Sequence, residues 1–203
     1  SLYCIQVDNP VYMNANFGTI TDKDGQATYS VDCGCLVSIP DANFKTYLLA
    51  QTAINTNSDG EIQCYEAAAY NGLIDVQNLS ISDLTGIEAF IAATQLNCKD
   101  NSLTTLDIST NTALTYLNCS NNQLAVVNTS TNILLTFLDV SFNSAMSAMD
   151  ITTNTLLTNF YCQNNNISTL NTANNLALVQ LNCDNNNMTL SDVSLNINLQ
   201  YFS

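Results

Sequence analysis

The sequence contains no histidine, no arginine and no tryptophan, and only three lysines, Lys23, Lys45 and Lys99. Without histidine there is no imidazole base, no Ser-His nucleophile activation and no His-ligated zinc site. Three cations against 17 acidic residues leave a formal net charge of −14. A chain this acidic is repelled by nucleic acid and by anionic membrane surfaces. Proline occurs twice, and no apolar run approaches the roughly 18–20 residues of a membrane-spanning helix. Carboxylates are present, but they fall at turn and surface positions, and nothing in their spacing implies a catalytic pair. The composition therefore points away from an enzyme.

What is present is a repeat. The pattern L-x-C-x-x-N-x-L occurs at Leu96, Cys98, Asn101 and Leu103, and again at Leu117, Cys119, Asn122 and Leu124. It drifts at Leu138, Val140 and Asn143, and at Phe160, Cys162, Asn165 and Ile167; the last copy is Leu181, Cys183, Asn186 and Met188. The period is 21 residues, with one 22-residue step between Val140 and Cys162. This is the leucine-rich-repeat signature. A coil of this kind cannot bury its apolar side alone, so a core exists only when coils stack. The fold class predicted is α/β: a right-handed solenoid with a parallel sheet on one face, a mostly non-helical opposite side, and a small helical cap at the N-terminal side. One strand per coil is expected at about 96–98, 117–119, 138–140, 160–162 and 181–183. Asn101, Asn122, Asn143, Asn165 and Asn186 should form a ladder that satisfies buried peptide groups.

Three segments are expected. Residues 1–35 do not repeat and read as a spacer or the end of a preceding array, with a turn at Asp22–Gly25 between extended stretches near Phe17–Ile20 and Thr28–Val31. Residues 36–93 read as a helical cap with a first atypical coil, in which Leu79 stands where later coils have the ladder Asn. Residues 94–203 are the repeats. The chain has no initiator Met and opens inside a repeat-like phrase, so it reads as a piece of something longer. Cys98, Cys119, Cys162 and Cys183 share an inward column with Val140 and are expected to be buried free thiols. Neighbouring coils give them poor disulfide geometry. Of Cys4, Cys33, Cys35 and Cys64, the first two are candidates for a bridge, and the pairing of the four stays open.

One stretch has specific chemistry. Residues 55–66 match the twelve-residue calcium loop. Asn55, Asn57 and Asp59 fall at positions 1, 3 and 5, Gly60 at the sharp turn, Glu61 at the carbonyl position and Glu66 at the bidentate position. Ile62 supplies the apolar residue, and Gln63 falls at position 9. One calcium ion is the cofactor expected. Asn55 stands where Asp is usual, which removes a charge and weakens affinity.

The outward columns of the strands are Asn97, Asn118, Asp139, Tyr161 and Asn182, then Lys99, Ser120, Ser141, Gln163 and Asp184, with Asp100, Asn121, Phe142, Asn164 and Asn185 adjoining. This face is rich in amides, and its aromatic break selects Phe142, Tyr161, Asp139 and Gln163 as candidate ligand contacts.

The run Ile39-Pro-Asp-Ala-Asn-Phe44, the loop with Asn57-x-Asp59-Gly60, and the phrase Ile81-Ser-Asp-Leu-Thr-Gly-Ile-Glu88 followed by the repeats resemble secreted leucine-rich-repeat proteins of Gram-negative bacteria, and the Ile-Ser-Asp-Leu-Thr-Gly-Ile phrase is similar to the internalin-like group. The resemblance implies an extracellular or cell-surface, non-catalytic module that binds a protein or glycan. The other expectations are a structural spacer or accessory subunit of a larger surface assembly, and a non-catalytic part of a secreted multidomain enzyme.

Overall fold

The structure is a computed structural model that describes residues 35–188 and 192–203, together with the backbone of Cys4–Gln6 and Thr28–Ser30. The latter two segments form β1 and β2, which pair in parallel. The expected turn at 22–25, the stretch near Phe17 and any Cys4–Cys33 bridge lie outside the described residues.

The cap begins with helix α1, Ala42–Ala50. Asp41 caps it, its Oδ1 accepting from the amides of Asn43 and Phe44. Its Oδ2 accepts from the Ser82 amide at 2.9 Å, which ties the helix start to the first coil. Burial works against the Asp41 charge, yet the amides of Ser82, Phe44 and Asn43 hold its pKa below the ordinary value. Phe44 and Leu48, four apart, turn into the core. Helix α2, Cys64–Ala69, follows the 55–66 loop and opens with a capping box between Gln63 and Glu66. A disulfide joins Cys35 to Cys64, beside an antiparallel bridge between Leu36 and Gln63. Gly86 closes the cap against the first coil. It has φ +105°, and a Cβ there would lie 2.8 Å from the Ser38 carbonyl oxygen.

Seven strands then run in parallel and in chain order. They are β3 (Leu73–Asp75), β4 (Gln95–Asn97), β5 (Tyr116–Asn118), β6 (Phe137–Asp139), β7 (Asn159–Tyr161), β8 (Gln180–Asn182) and β9 (Tyr201–Phe202). β4 to β8 each begin one residue earlier than the leucine-based expectation. The inward Cys or Val just after each strand still donates its amide to the next coil, as Cys98 does to the Asn118 carbonyl and Val140 to that of Tyr161. Opposite the sheet, the first coil has a short 3-10 helix at Ile87–Ala89, and the described residues of the later coils hold turns rather than helices, as stretches such as Ser109–Thr112 require.

Two asparagine columns hold the coils together. In the first, Asn122 donates to the Cys98 and Cys119 carbonyls and accepts from the Leu103 amide. Asn143 repeats this one coil on. The second column, Asn111, Asn132, Asn154, Asn175 and Asn196, was not anticipated from the pattern. Asn132, for example, donates to the Ile108 and Asn111 carbonyls, and Asn196 to those of Thr172 and Asn175. All five are buried. Asn154 and Asn196 also accept a hydroxyl, from Thr129 and Thr172. Asn111, Asn132 and Asn175 follow an isoleucine at the equivalent place, and their Oδ1 atoms have no partner.

Cys98, Cys119 and Cys162 are buried free thiols in one column with Val140, as expected. Cys183 departs from expectation. It is only partly buried, because the coil that would cover it is the short one ending at β9, and its sulfur contacts the Ser203 carbonyl oxygen. Burial pushes the Cys98 thiol up to about 12, and raises Cys119 and Cys162 as well. Protonated at neutral pH, these buried thiols pack as small apolar groups.

Candidate functional site

The 55–66 loop is drawn tightly around Glu66, whose side chain is 3% exposed. One carboxylate oxygen accepts from the Thr56 amide at 2.8 Å, the Thr56 hydroxyl at 2.7 Å and the Asn57 amide at 3.2 Å. The other accepts from the Gln63 amide at 3.1 Å. Asn57, Asp59 and Gln63 form a second cluster, in which Asp59 accepts from both side-chain amides. Gly60 makes the turn at φ +88°, and Ile62 plugs the loop into the core. Glu61 points away, its carboxylate 2.7 Å from the Lys45 ammonium. Asn55 donates to the Leu49 carbonyl, and its Oδ1 is buried with no partner.

The structure thus brings Asn57, Asp59 and Gln63 together, and Glu66 onto the loop backbone beside them. The Glu61 side chain lies apart, which leaves only its carbonyl for a ligand role. Among the described residues no three His, Cys, Asp or Glu side chains gather as a metal cluster. Oxygen donors of the kind a hard cation takes are nonetheless present, and the orphaned Asn55 Oδ1 is the atom most in need of one. Glu66, by contrast, already satisfies four donors as the capping carboxylate of α2.

On the sheet face, alternation exposes the first and third residue of each strand. The third residues include Asn97, Asn118, Asp139, Tyr161 and Asn182, as read from the sequence. The first residues are Leu73, Gln95, Tyr116, Phe137, Asn159, Gln180 and Tyr201, and this column was missed. The signal was available, since the residue before each leucine has the same parity as the residue after it. The column matters because it places Tyr116 and Phe137 beside Tyr161. The first two rings stack, with centroids 4.5 Å apart and planes within 13°. Phe137 and Tyr161 lie 5.6 Å apart at 47°. The Tyr161 hydroxyl donates to Gln180.

Asp139 sits two residues along β6 from Phe137 and in register with Tyr161. Its Oδ1 accepts from the amide and hydroxyl of Ser141. Burial raises its pKa above the ordinary value and outweighs the Ser141 bonds and the nearby Lys99 charge. The Oε1 of Gln163 is a buried acceptor with no partner. Lys99 lies 3.8 Å from Asp100.

Phe142 is not on the strand face. It occupies the corner after β6 at φ +56°, in a column otherwise filled by Asn78, Asp100, Asn121, Asn164 and Asn185. This left-handed conformation suits Asn and Asp, and costs a bulky residue on the order of 1–2 kcal/mol. The column also carries an outward ladder, with Asn121 donating to Asp100 and Asn185 to Asn164, which Phe142 interrupts. The ring is 50% exposed and recovers little of the strain by burial. Phe142→Asn should therefore raise unfolding free energy by about 1 kcal/mol in urea titration. A fall would mean that the ring packs more tightly than its exposure indicates.

Over 73 residues the sequence is 40% identical to internalin J of Listeria monocytogenes serotype 4b (strain F2365), a match taking in 36% of this chain and 8% of that protein. In shape it is similar to the internalin InlF of L. monocytogenes, with a TM-score of 0.64 and 19% identity over 81% of this chain and 56% of that one. It is also similar to the functional domain of InlJ from the same species, described as including a cysteine ladder, with 32% identity and a TM-score of 0.47 over 80% of this chain and 45% of that one. A leucine-rich-repeat protein of Leptospira interrogans aligns with 57% of the chain at a TM-score of 0.53 and 22% identity, over 32% of its own length. The chain thus spans less than two thirds of each of these relatives. No family model matches it.

Proposed function

We propose that this internalin-like bacterial leucine-rich-repeat chain is a non-catalytic extracellular binding or adhesion module, whose ligand, a protein or a glycan, docks on the sheet face around Tyr116, Phe137, Asp139 and Tyr161. The observation that carries this reading is the aromatic cluster. Elsewhere the face is lined chiefly by small polar and amide side chains, and grouped aromatics are the side chains from which binding hot spots are built. Gln163 follows Tyr161 by two residues, and Phe142 stands at the corner after β6 rather than on the strand face itself. The extracellular placement draws support from the Cys35–Cys64 disulfide, since such bonds persist in oxidising compartments. Among the described residues no helix is long and apolar enough to cross a membrane.

The test is a glycan and surface-protein array probed with the wild type and with Phe137→Ala/Tyr161→Ala, folding being checked by circular dichroism. A ligand retained at full strength by the variant would move the binding surface elsewhere.

We also propose one calcium ion in the cap, held by Asn55, Asn57, Asp59, the Glu61 carbonyl and Glu66. The buried, unpartnered Asn55 Oδ1 supports it. Affinity should lie near the weak end, on the order of 10⁻⁴–10⁻³ M. Calcium at about 10 mM should then raise the melting temperature of the wild type by several degrees relative to chelator. Asp59→Asn should lose that rise. It is a better probe than a change at Glu66, whose carboxylate holds the loop with or without an ion. No calcium-dependent shift in the wild type would leave the loop as a turn closed by Glu66.

A further inference from the structure

Tyr116 and Phe137 stand in register on neighbouring strands, and strands of a sheet lie about 4.8 Å apart. Their centroid distance of 4.5 Å nearly equals that spacing, and their planes differ by only 13°. The rings are therefore stacked along the sheet. Each covers a face of the other, and their edges point outward. A sugar ring stacks on an open aromatic face, and the face shared by these two rings is closed. What the pair offers instead is a ridge of ring edges, which suits an aliphatic chain laid along it.

The polar groups beside the ridge are acceptors. Asp139 is a carboxylate on the same strand as Phe137, and its neighbours Ser141 and Ser120 leave its charge unbalanced. Among the described residues Lys99 is the one cation near it, and it is already drawn to Asp100. Gln163, two residues after Tyr161, contributes a buried oxygen with no donor. A ligand group completing this arrangement must bring donors only, positive charge, and an apolar stem.

Resting on the sheet-face reading above, we propose that the group this face takes is the basic side chain, arginine or lysine, of a partner protein, with its methylene stem on the Tyr116–Phe137 ridge beside Tyr161 and its charged head on Asp139 and Gln163. Arginine meets the requirement best, since its guanidinium carries five donors and no acceptor. Its stem covers apolar surface while the head stays polar. Burial of the Asp139 carboxylate is the strain that such a head would relieve. The chain's net charge of −14 would steer basic partners toward it.

The test uses the full 203-residue chain and two probe peptides, acetyl-Ala-Leu-Arg-Leu-Ala-amide and the same peptide with citrulline, the neutral isostere, for arginine. Binding is followed by NMR at physiological salt, which screens non-specific attraction. The expected result is that the arginine peptide shifts the ring resonances of Tyr116, Phe137 and Tyr161. The citrulline peptide should bind at least about tenfold more weakly. Asp139→Asn should weaken arginine-peptide binding by about tenfold, whereas Asp107→Asn, with the same change in net charge, should leave it unaltered. Equal binding of the two peptides, equal effects of the two substitutions, or unmoved ring resonances each overturn the proposal. If the rings then respond to an oligosaccharide or a neutral peptide, the binding face stands and only its preference for a basic side chain is lost. If they respond to no probe or array ligand, the face itself falls.

Discussion

Asn143→Ala is expected to lower unfolding free energy by about 3–5 kcal/mol, among the largest effects of any single side chain here. Asn143 is fully buried. Its amide nitrogen donates to the carbonyls of Cys119, Val140 and Ser141, and its oxygen accepts from the Leu124 amide. Truncation leaves these backbone groups in the interior without partners. Each buried group so orphaned costs about 1–3 kcal/mol, reduced where a water can enter. The damage falls on the interface with the preceding coil, to which Cys119 and Leu124 belong, whereas the bond from the Asn143 backbone amide to Asn165 of the following coil survives truncation. In a stacked array, stability depends on nearest-neighbour interfaces, so loss in the middle uncouples the two halves. Urea titration by circular dichroism measures it. Asn174→Ala supplies the comparison: that residue makes a similar donor bond to Thr152 but is exposed, and water replaces what is lost. Asn174→Ala should cost below about 1 kcal/mol. Equal effects at the two positions would mean that the ladder is decoration rather than support.

The first ladder could be read from the sequence because its asparagine sits at a fixed distance from leucines whose burial is obvious. The second could not, although its period is the same. Asn111, Asn132, Asn154, Asn175 and Asn196 lie in runs such as Ser-Thr-Asn-Thr and Thr-Thr-Asn-Thr, whose local chemistry is that of a solvated turn. They are buried only because the preceding coil presents carbonyls that need donors, and that demand belongs to the stack rather than to any one segment. The threonine or isoleucine before each rung then decides whether the asparagine oxygen finds a hydroxyl.

The sheet face divides in the same way. Alternation announces that Asp139 and Tyr161 point outward, and by the same rule Tyr116 and Phe137. That these three rings meet follows from the register of three strands, which the repeat also supplies, but the stacking that closes the shared ring face is a matter of rotamers. Phe142 shows the opposite failure. Its neighbours in the column are nearly all Asn or Asp, which signals a left-handed corner, and reading it as part of a strand face overlooked that signal. In the cap, spacing named the oxygen-bearing residues of the 55–66 loop. That loop spacing carried no information about the rival role of Glu66, whose carboxylate caps α2 by accepting from the Gln63 amide. Glu66 follows Gln63 by three at a helix start, the spacing of a capping box, so that rival role was present in the sequence as well.

The disulfide is where the largest effect outside the array is expected. Four cysteines allow three pairings, and spacing alone selects none of them. The structure joins Cys35 to Cys64 across a separation of 29 residues, at the point where the chain before α1 meets the end of the 55–66 loop. Few other bonds hold that junction: Val37 donates to the Ile62 carbonyl and Cys64 to the Cys35 carbonyl. Closing a loop of that length removes unfolded-state entropy worth about 3–4 kcal/mol. Cys35→Ser/Cys64→Ser should therefore destabilise the cap by roughly that amount in urea, and reduction of the wild type should do the same. The loss should be local. Hydrogen exchange is expected to quicken at Val37, Cys64 and Glu66, whose amides are held by the bridge and the capping box, while Val140 and Cys162 in the middle of the stack keep their protection. Faster exchange confined to the cap would fit the same picture. If reduction changes neither stability nor exchange at Val37 and Cys64, the bridge holds nothing that packing does not already hold, and the support it lends to an oxidising, extracellular setting goes with it.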